Sequence, residues 1–244
     1  LKYAIISDVH ANLEAAEACL REIERLEADR IICLGDMVDY CAQPNEVINL
    51  LREKCHVIVL GNHDEAQYNY PLSNRFNERA KISSIHTRSV LDPDHIEYIK
   101  TLPSTHSENN LLFVHASPVH PPSYKYLLDE EAAAVNSRSF IESICFIGHS
   151  HKPVMFEISE EGICRKEILS QSKLKLDNTK RYIINVGSVG QPRDGDPRLS
   201  FGLFDSELYE YINVRTDYDF KSASEKIIKE GLPGFFAERI LTGI

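Results

Sequence analysis

The apolar runs in the first two-thirds of the chain share one peculiarity: each empties into residues of metal-binding type. Tyr3-Ala4-Ile5-Ile6 is followed by Asp8-Val9-His10, and Arg30-Ile31-Ile32-Cys33-Leu34 by Gly35-Asp36-Met37-Val38-Asp39. His56-Val57-Ile58-Val59-Leu60 runs into Gly61-Asn62-His63-Asp64. Leu111-Leu112-Phe113-Val114 meets His115, and Ile144-Cys145-Phe146-Ile147 meets Gly148-His149-Ser150-His151. Short continuous apolar runs of this kind read as strands buried on both faces. Between them the period becomes helical. Leu13, Ala16, Cys19 or Leu20, Ile23 and Leu26 fall on one face behind Asn12, a capping residue, and predict a helix to about residue 28. Val47, Ile48, Leu50 and Leu51 predict a second helix beginning near Pro44. Strand and helix in alternation imply parallel strands whose C-terminal ends gather the ligands.

Residues 65–105 break this rhythm; they are polar and read as helical, with one helix starting at Asp92-Pro93-Asp94 and running to about Thr101. We read them as an insertion beside the site. A Pro-rich loop follows His115 through Pro122, and a helix near 129–135 precedes the run 144–147. From residue 153 the character changes to short strands. The stretches 154–158 and 163–169 flank Glu160-Glu161-Gly162, a hairpin signal, and strands follow at 181–186, 201–205 and 208–214. The region 219–242 reads as helical with an interruption at Gly231-Leu232-Pro233-Gly234. A single α/β domain over residues 1–244, with two packed sheets and outer helices, accommodates these elements.

Composition narrows the function. A net charge of −10 without any basic cluster argues against binding a nucleic-acid polymer. It leaves room for a small anionic substrate, because bound cations would dominate the local field. No apolar run approaches the ~20 residues of a membrane span, and the N-terminal residues lack the progression of a signal peptide, so a cytoplasmic location is expected. Six cysteines, at 19, 33, 41, 55, 145 and 164, show no C-x-x-C spacing and read as buried reduced thiols.

The converging residues carry the chemistry. In an extended segment residues i and i+2 point the same way, so Asp8 and His10 are expected to share one ion, as are His149 and His151. With Asp36, Asn62 and His115 they supply mixed oxygen and nitrogen ligands without a thiolate. That set suits borderline divalent metals: manganese first, with Fe, Co, Ni and Zn as alternatives. It is too large for one tetrahedral ion with an open position. Two ions roughly 3.5–4 Å apart, sharing a carboxylate and a water, fit the count and imply hydrolysis of a phosphate ester.

In the order quoted, these motifs resemble the full series of the calcineurin-like metallophosphoesterases. Asn185-Val186-Gly187-Ser188-Val189-Gly190-Gln191-Pro192-Arg193 resembles the Asn-x-Gly-Ser segment of their small prokaryotic, YfcE-like phosphodiesterase branch. The resemblance implies a four-layer α-β-β-α sandwich of two mixed sheets. It also implies that Asp8, His10, Asp36 and His151 bind one metal, and that Asp36 bridges to a second completed by Asn62, His115 and His149. His63 would act as leaving-group acid or transition-state donor, oriented by Asp39, and a metal-bridging hydroxide would attack. The expected substrate is a small or nucleotide-like phosphate ester, with Asn62 also contacting it. The protein phosphatases of this superfamily carry Arg-Gly where this chain has Tyr40-Cys41, so Arg193 or Arg198 is expected to supply the substrate-binding charge. Hydrolysis of a dinucleoside polyphosphate is the alternative reaction. A non-catalytic scaffold of the same fold is the alternative class, and the presence of His63 beside a complete ligand set speaks against it.

Plainer readings exist for several of these positions. Asp8 and His10 could form a polar turn, and Asp39 could cap a helix. Asp64 could be a cap or an orienting partner, and Asn12 reads as a cap before a phosphate contact. Arg193 and Arg198 could pair within their own loop. Tyr68, Tyr70 and Phe76 read as packing before base stacking, and His56, His86, His95, His106 and His120 as surface or loop residues.

Overall fold

The computed structural model describes all residues of the chain except 160, 163, 170 and 172. Its first half is the expected strand–helix alternation. Strands β1 (Lys2–Ile6), β2 (Arg30–Cys33) and β3 (Val57–Ile58) are parallel, joined by helices α1 (Leu13–Arg25) and α2 (Pro44–Lys54). Asn12 caps α1 by accepting from the Ala15 amide at 3.1 Å, and Pro44 opens α2 where its missing N–H is harmless. The short α3 (Asn62–Glu65) leaves the end of β3, and α4 (Glu78–Val90) and α5 (Pro93–Ile99) follow. The helical part of 65–105 therefore stops before Thr105, which opens the unexpected strand β4 (Thr105–Glu108).

The second half supplies β5 (Leu111–Val114), α6 (Glu130–Asn136), β6 (Ile144–Ile147), and the hairpin β7 (Val154–Ile158) and β8 (Cys164–Ile168). Glu160 and Ile163, part of the expected turn and the expected strand start, lie outside the described residues. Then come β9 (Lys173–Lys175), β10 (Arg181–Asn185), β11 (Leu199–Asp205), β12 (Glu210–Thr216), α7 (Phe220–Lys229) and α8 (Gly234–Thr242). Among the described residues, no helix is long and apolar enough to cross a membrane.

The strands form two mixed six-stranded sheets, ordered β3-β2-β1-β11-β12-β9 and β4-β5-β6-β10-β7-β8. Side-chain alternation places them in layers. Tyr3, Ile5 and Ile32 from one sheet meet Phe113, Phe146 and Tyr182 from the other, forming the core between the sheets. Ala4, Ile6 and Cys33 point the opposite way and are covered by α1, α2, α7 and α8. On the far face of the second sheet, Leu112, Cys145 and Ile183 pack with Ala133 of α6. The result is the four-layer sandwich. Because β1, β2, β3, β5 and β6 end on the same side, the loops after them converge at one edge of the two sheets.

Candidate active site

Those loops are short and strained. Asp8, His10, Asp36, Asp39, His149 and His151 all have left-handed backbone, with φ between 49° and 71°. Such conformations cost non-glycine residues of order 1–3 kcal/mol and persist where surroundings overdetermine them. Here the surroundings are hydrogen bonds between loops. Asp8 N donates to Gly35 O at 3.0 Å, and His10 N to Asp36 O at 3.0 Å. The expectation that Asp8 and His10 converge through strand alternation is therefore corrected. β1 has ended by then, and the two side chains meet because left-handed turns re-aim them; the same holds for His149 and His151. Glycine is required where the loops touch. A Cβ on Gly61 would fall on the Asp36 carboxylate, and one on Gly148 on Ser7 and Asp8.

Two buried groups result, Asp8 with His10 and His151, and Asp36 with His115 and His149; each offers three ligand atoms within 4.8 Å of one another. Within the first, His151 Nε2 lies 3.2 Å from Asp8 Oδ1, and His10 Nε2 lies 3.7 Å from it. In the second, His115 Nε2 is 3.2 Å from Asp36 Oδ2 and 3.0 Å from Asn62 Oδ1. Asp36 Oδ2 also approaches His10 Nε2 at 3.8 Å, so this carboxylate lies between the groups.

Proton positions show what the groups suit. His10, His115 and His151 each face a backbone carbonyl with Nδ1: Val38, Leu34 and Gln191, at 2.8, 2.9 and 2.6 Å. A carbonyl only accepts, so each Nδ1 donates and the neutral ring keeps its lone pair on Nε2. Burial, with the neighbouring His151, pushes His10 well below its ordinary range, and burial and Arg193 lower His151. Their Nε2 atoms nevertheless face each other at 3.1 Å. Two lone pairs at that distance repel, unlike a hydrogen bond, and a cation resolves the conflict. Asp8 Oδ1, Asp36 Oδ2 and His149 Nε2 are likewise buried without a hydrogen-bond partner. At His115, burial opposes charging, but Asp36 and Asp8 outweigh it and raise the imidazole to about 9. A proton there neutralises what a metal ion would neutralise. These orphaned acceptors fit divalent cations.

His63 sits above this floor. Its Nδ1 lies 2.6 Å from Asp39 Oδ2 and its Nε2 3.0 Å from the Tyr40 hydroxyl, while its amide donates to Asp36 Oδ1 at 2.8 Å. Burial disfavours the imidazolium, yet Asp36 and Asp39 overcome it and raise the His63 pKa above its ordinary value. Gln67 donates to Asp39 Oδ1 at 3.1 Å and so fixes the orienting carboxylate. Asp64 accepts from the amides of Asp36, Met37 and Gly61 at 2.7, 2.9 and 3.2 Å, so it both caps α3 and pins the loop that carries Asp36.

The sequence matches the calcineurin-like phosphoesterase superfamily domain over residues 1–208. This chain belongs to that superfamily. The phosphoesterase is accordingly a hydrolase of phosphoester bonds in a metal-dependent family. It is 38% identical to an uncharacterized protein of Methanocaldococcus jannaschii, over 98% of this chain and 97% of that protein. Its structure is similar to a metallophosphoesterase from Sphaerobacter thermophilus, with TM-score 0.87 and 33% identity, covering 100% of this chain and 99% of the other. A hypothetical protein from Pyrococcus horikoshii shares the fold at TM-score 0.80 and 19% identity, covering 100% and 98%.

A cavity of about 350 Å³ opens over the floor of the phosphoesterase, lined by Asn62, His63, His149, Tyr40, Phe76 and Tyr126 among others. Several of these carry no sequence signal for a site. Tyr40 was legible only as the position of a missing arginine. Phe76 packs on the His63 ring, centroids 4.4 Å apart, and Tyr126 stacks on His149 at 4.1 Å and 20°. Asn12 is a cap whose amide donates to Gly190 O and Tyr218. Arg193 reaches the site edge, 5.4 Å over the Tyr40 ring. Arg198 lines neither cavity of this region; its guanidinium is bound to Asp196 and Gln171. His95, expected at the surface, is buried between Asn45 and Asn49 at 2.9 Å each.

Proposed function

We propose that the chain hydrolyses small or nucleotide-like phosphate esters at a dinuclear centre. Asp8, His10, Asp36 and His151 would hold one divalent cation, and Asp36, Asn62, His115 and His149 the other, with manganese as the first candidate. When bound, the cations would polarise the phosphoryl oxygens and lower the pKa of the attacking water. The observation that carries this reading is the pair of opposed Nε2 lone pairs beside orphaned carboxylate oxygens.

The remaining work falls to the chain's own residues. Asp39 accepts the Nδ1 proton of His63, holding the ring so that Nε2 faces the cavity. A protonated Nε2 donates to the leaving-group oxygen as the ester bond breaks. Asp36 and Asp39 favour that protonated form, countering the burial that disfavours it. Tyr40 marks where that oxygen approaches, since its hydroxyl already contacts Nε2. Burial and the packing of Phe76 keep bulk water from competing.

The test is hydrolysis of a chromogenic phosphodiester by metal-stripped protein as Mn²⁺ is added back, with bound metal counted. Activity is expected to return at about two ions per chain. Bound ions without turnover on mono- or diesters would overturn the hydrolytic reading. Failure to bind metal would overturn the ligand assignment.

A further inference from the structure

Tyr40, Asn77 and Tyr126 line both the cavity over His63 and a second space of about 440 Å³. Three arginines from distant parts of the chain line it: Arg79 in α4, Arg193 after β10, and Arg239 in α8. They gather around one space in a chain of net charge −10. Arg25, Arg30, Arg198 and Arg215 each pair with a carboxylate. Among the described residues, no Asp or Glu side chain forms an ion pair with Arg79, Arg193 or Arg239, although Glu78 lines the same space. Arg193 and Arg239 instead share the neutral Gln191 Oε1, at 2.8 and 3.3 Å, and Arg239 donates also to Ile244 O.

A purely structural reading would cite the aromatic contacts. The Arg79 and Arg239 guanidinium carbons lie 3.8 and 4.3 Å from the centroid of Phe235, which ties α4 to α8. Stacking uses the faces of a guanidinium, so the in-plane N–H donors beyond those already given to Gln191 Oε1 and Ile244 O can meet an oxyanion. Gathering these cations has an electrostatic cost: burial first, then Arg193, bring Arg239 down to about 10. A polyanion offsets that cost.

We propose that Arg79, Arg193 and Arg239 form a second anion subsite that takes a phosphate of the substrate remote from the ester being cleaved. The physiological substrate then carries at least two phosphoryl groups. This rests on the proposed cleavage over His63. A phosphate fits better than a carboxylate, because three guanidinium groups line one space and one fork satisfies a carboxylate.

Two measurements test it. Manganese-loaded enzyme is compared on thymidine 5′-(4-nitrophenyl phosphate) and the same ester carrying a 3′-phosphate. The wild type should prefer the doubly phosphorylated ester by at least about tenfold in kcat/KM, as expected for charge-assisted contacts. In the Arg79→Gln/Arg239→Gln variant that ratio should fall toward unity. Separately, inorganic pyrophosphate is titrated calorimetrically into the full chain stripped of metal, so that no bound cation on the floor can hold it. One pyrophosphate should bind per wild-type chain, and Arg79→Gln alone, at an exposed position, should weaken it about tenfold. No pyrophosphate binding by folded wild type overturns the subsite even if simple diesters are hydrolysed. Citrate binding as tightly as pyrophosphate overturns the phosphate assignment. Pyrophosphate binding with no ester hydrolysed supports the subsite and overturns the proposed function instead.

Discussion

The floor of the site and its rim are built on opposite terms. On the floor, Asp8, His10, Asp36, His115, His149 and His151 are at most 8% exposed, and all but His115 have left-handed backbone. Each is fixed by hydrogen bonds running between loops that leave different strands. The rim, made by α4, α8 and the loop through Tyr126, exposes Arg79 and holds its side chains by ring contacts. Stored strain and orphaned acceptors belong to the floor, and adjustable stacking belongs to the rim. The difference separates chemistry from selection: substitutions on the floor should destroy turnover, and those on the rim should change what is turned over.

Asp36→Asn should break the floor most completely. The substitution keeps shape while removing the charge that lies between both ligand groups and supports His115 and His63. Metal analysis should show at least about one ion fewer than in the wild type, and kcat should fall further than in any other variant here. An Asp36→Asn protein that kept the full metal content would show that the carboxylate is not shared. His63→Ala comes next, with kcat reduced about 10²–10⁴-fold while metal content is preserved. Wild-type kcat on an ester with a poor leaving group would remove its role as acid.

The same division decides what the sequence reveals. Floor residues are legible because each follows an apolar run directly, so strand prediction and ligand type coincide within a few positions. Left-handed turns, and not strand alternation, aim Asp8 with His10. The rim carries no such local mark. Arg79, Tyr126, Phe235 and Arg239 belong to no motif, and the fold brings them to one space from α4, α8 and the loop through Tyr126. Tyr40 shows the limit of reading by absence: it lacks the arginine of related phosphatases, yet its hydroxyl touches His63 Nε2. Strands β4 and β9 escaped for a physical reason. Thr105-His106-Ser107-Glu108 and Lys173-Leu174-Lys175 are edge strands with little to bury, so no apolar run announces them.

Asp64→Asn would sharpen the comparison by loosening the floor without touching a ligand. An amide has one acceptor oxygen, and Asp64 serves three backbone N–H groups with two. One N–H of the Asp36 loop would then face an NH₂ group. Metal affinity is expected to fall about 10–100-fold, as for other partners that orient ligands. Equilibrium metal titration checks this, and unchanged affinity would assign Asp64 to helix capping alone.

Tyr126→Leu should have the smallest effect and separates the two regions most finely, because Tyr126 touches both. Its ring stacks on His149, a floor residue whose Nε2 has no hydrogen-bond partner, and its exposed edge lines both cavities. A lost stacking contact is worth about 0.5–1.5 kcal/mol, hence roughly 2–10-fold. Where that factor falls is informative. If Tyr126 belongs to the rim, KM rises by this amount while kcat and metal content hold. A fall in affinity for the more weakly held ion, with KM unchanged, would mean that the rim supports His149. Tyr126→Phe keeps the ring and should restore wild-type values in either case. The leucine variant, measured for KM and metal together, therefore fixes where chemistry ends and selection begins.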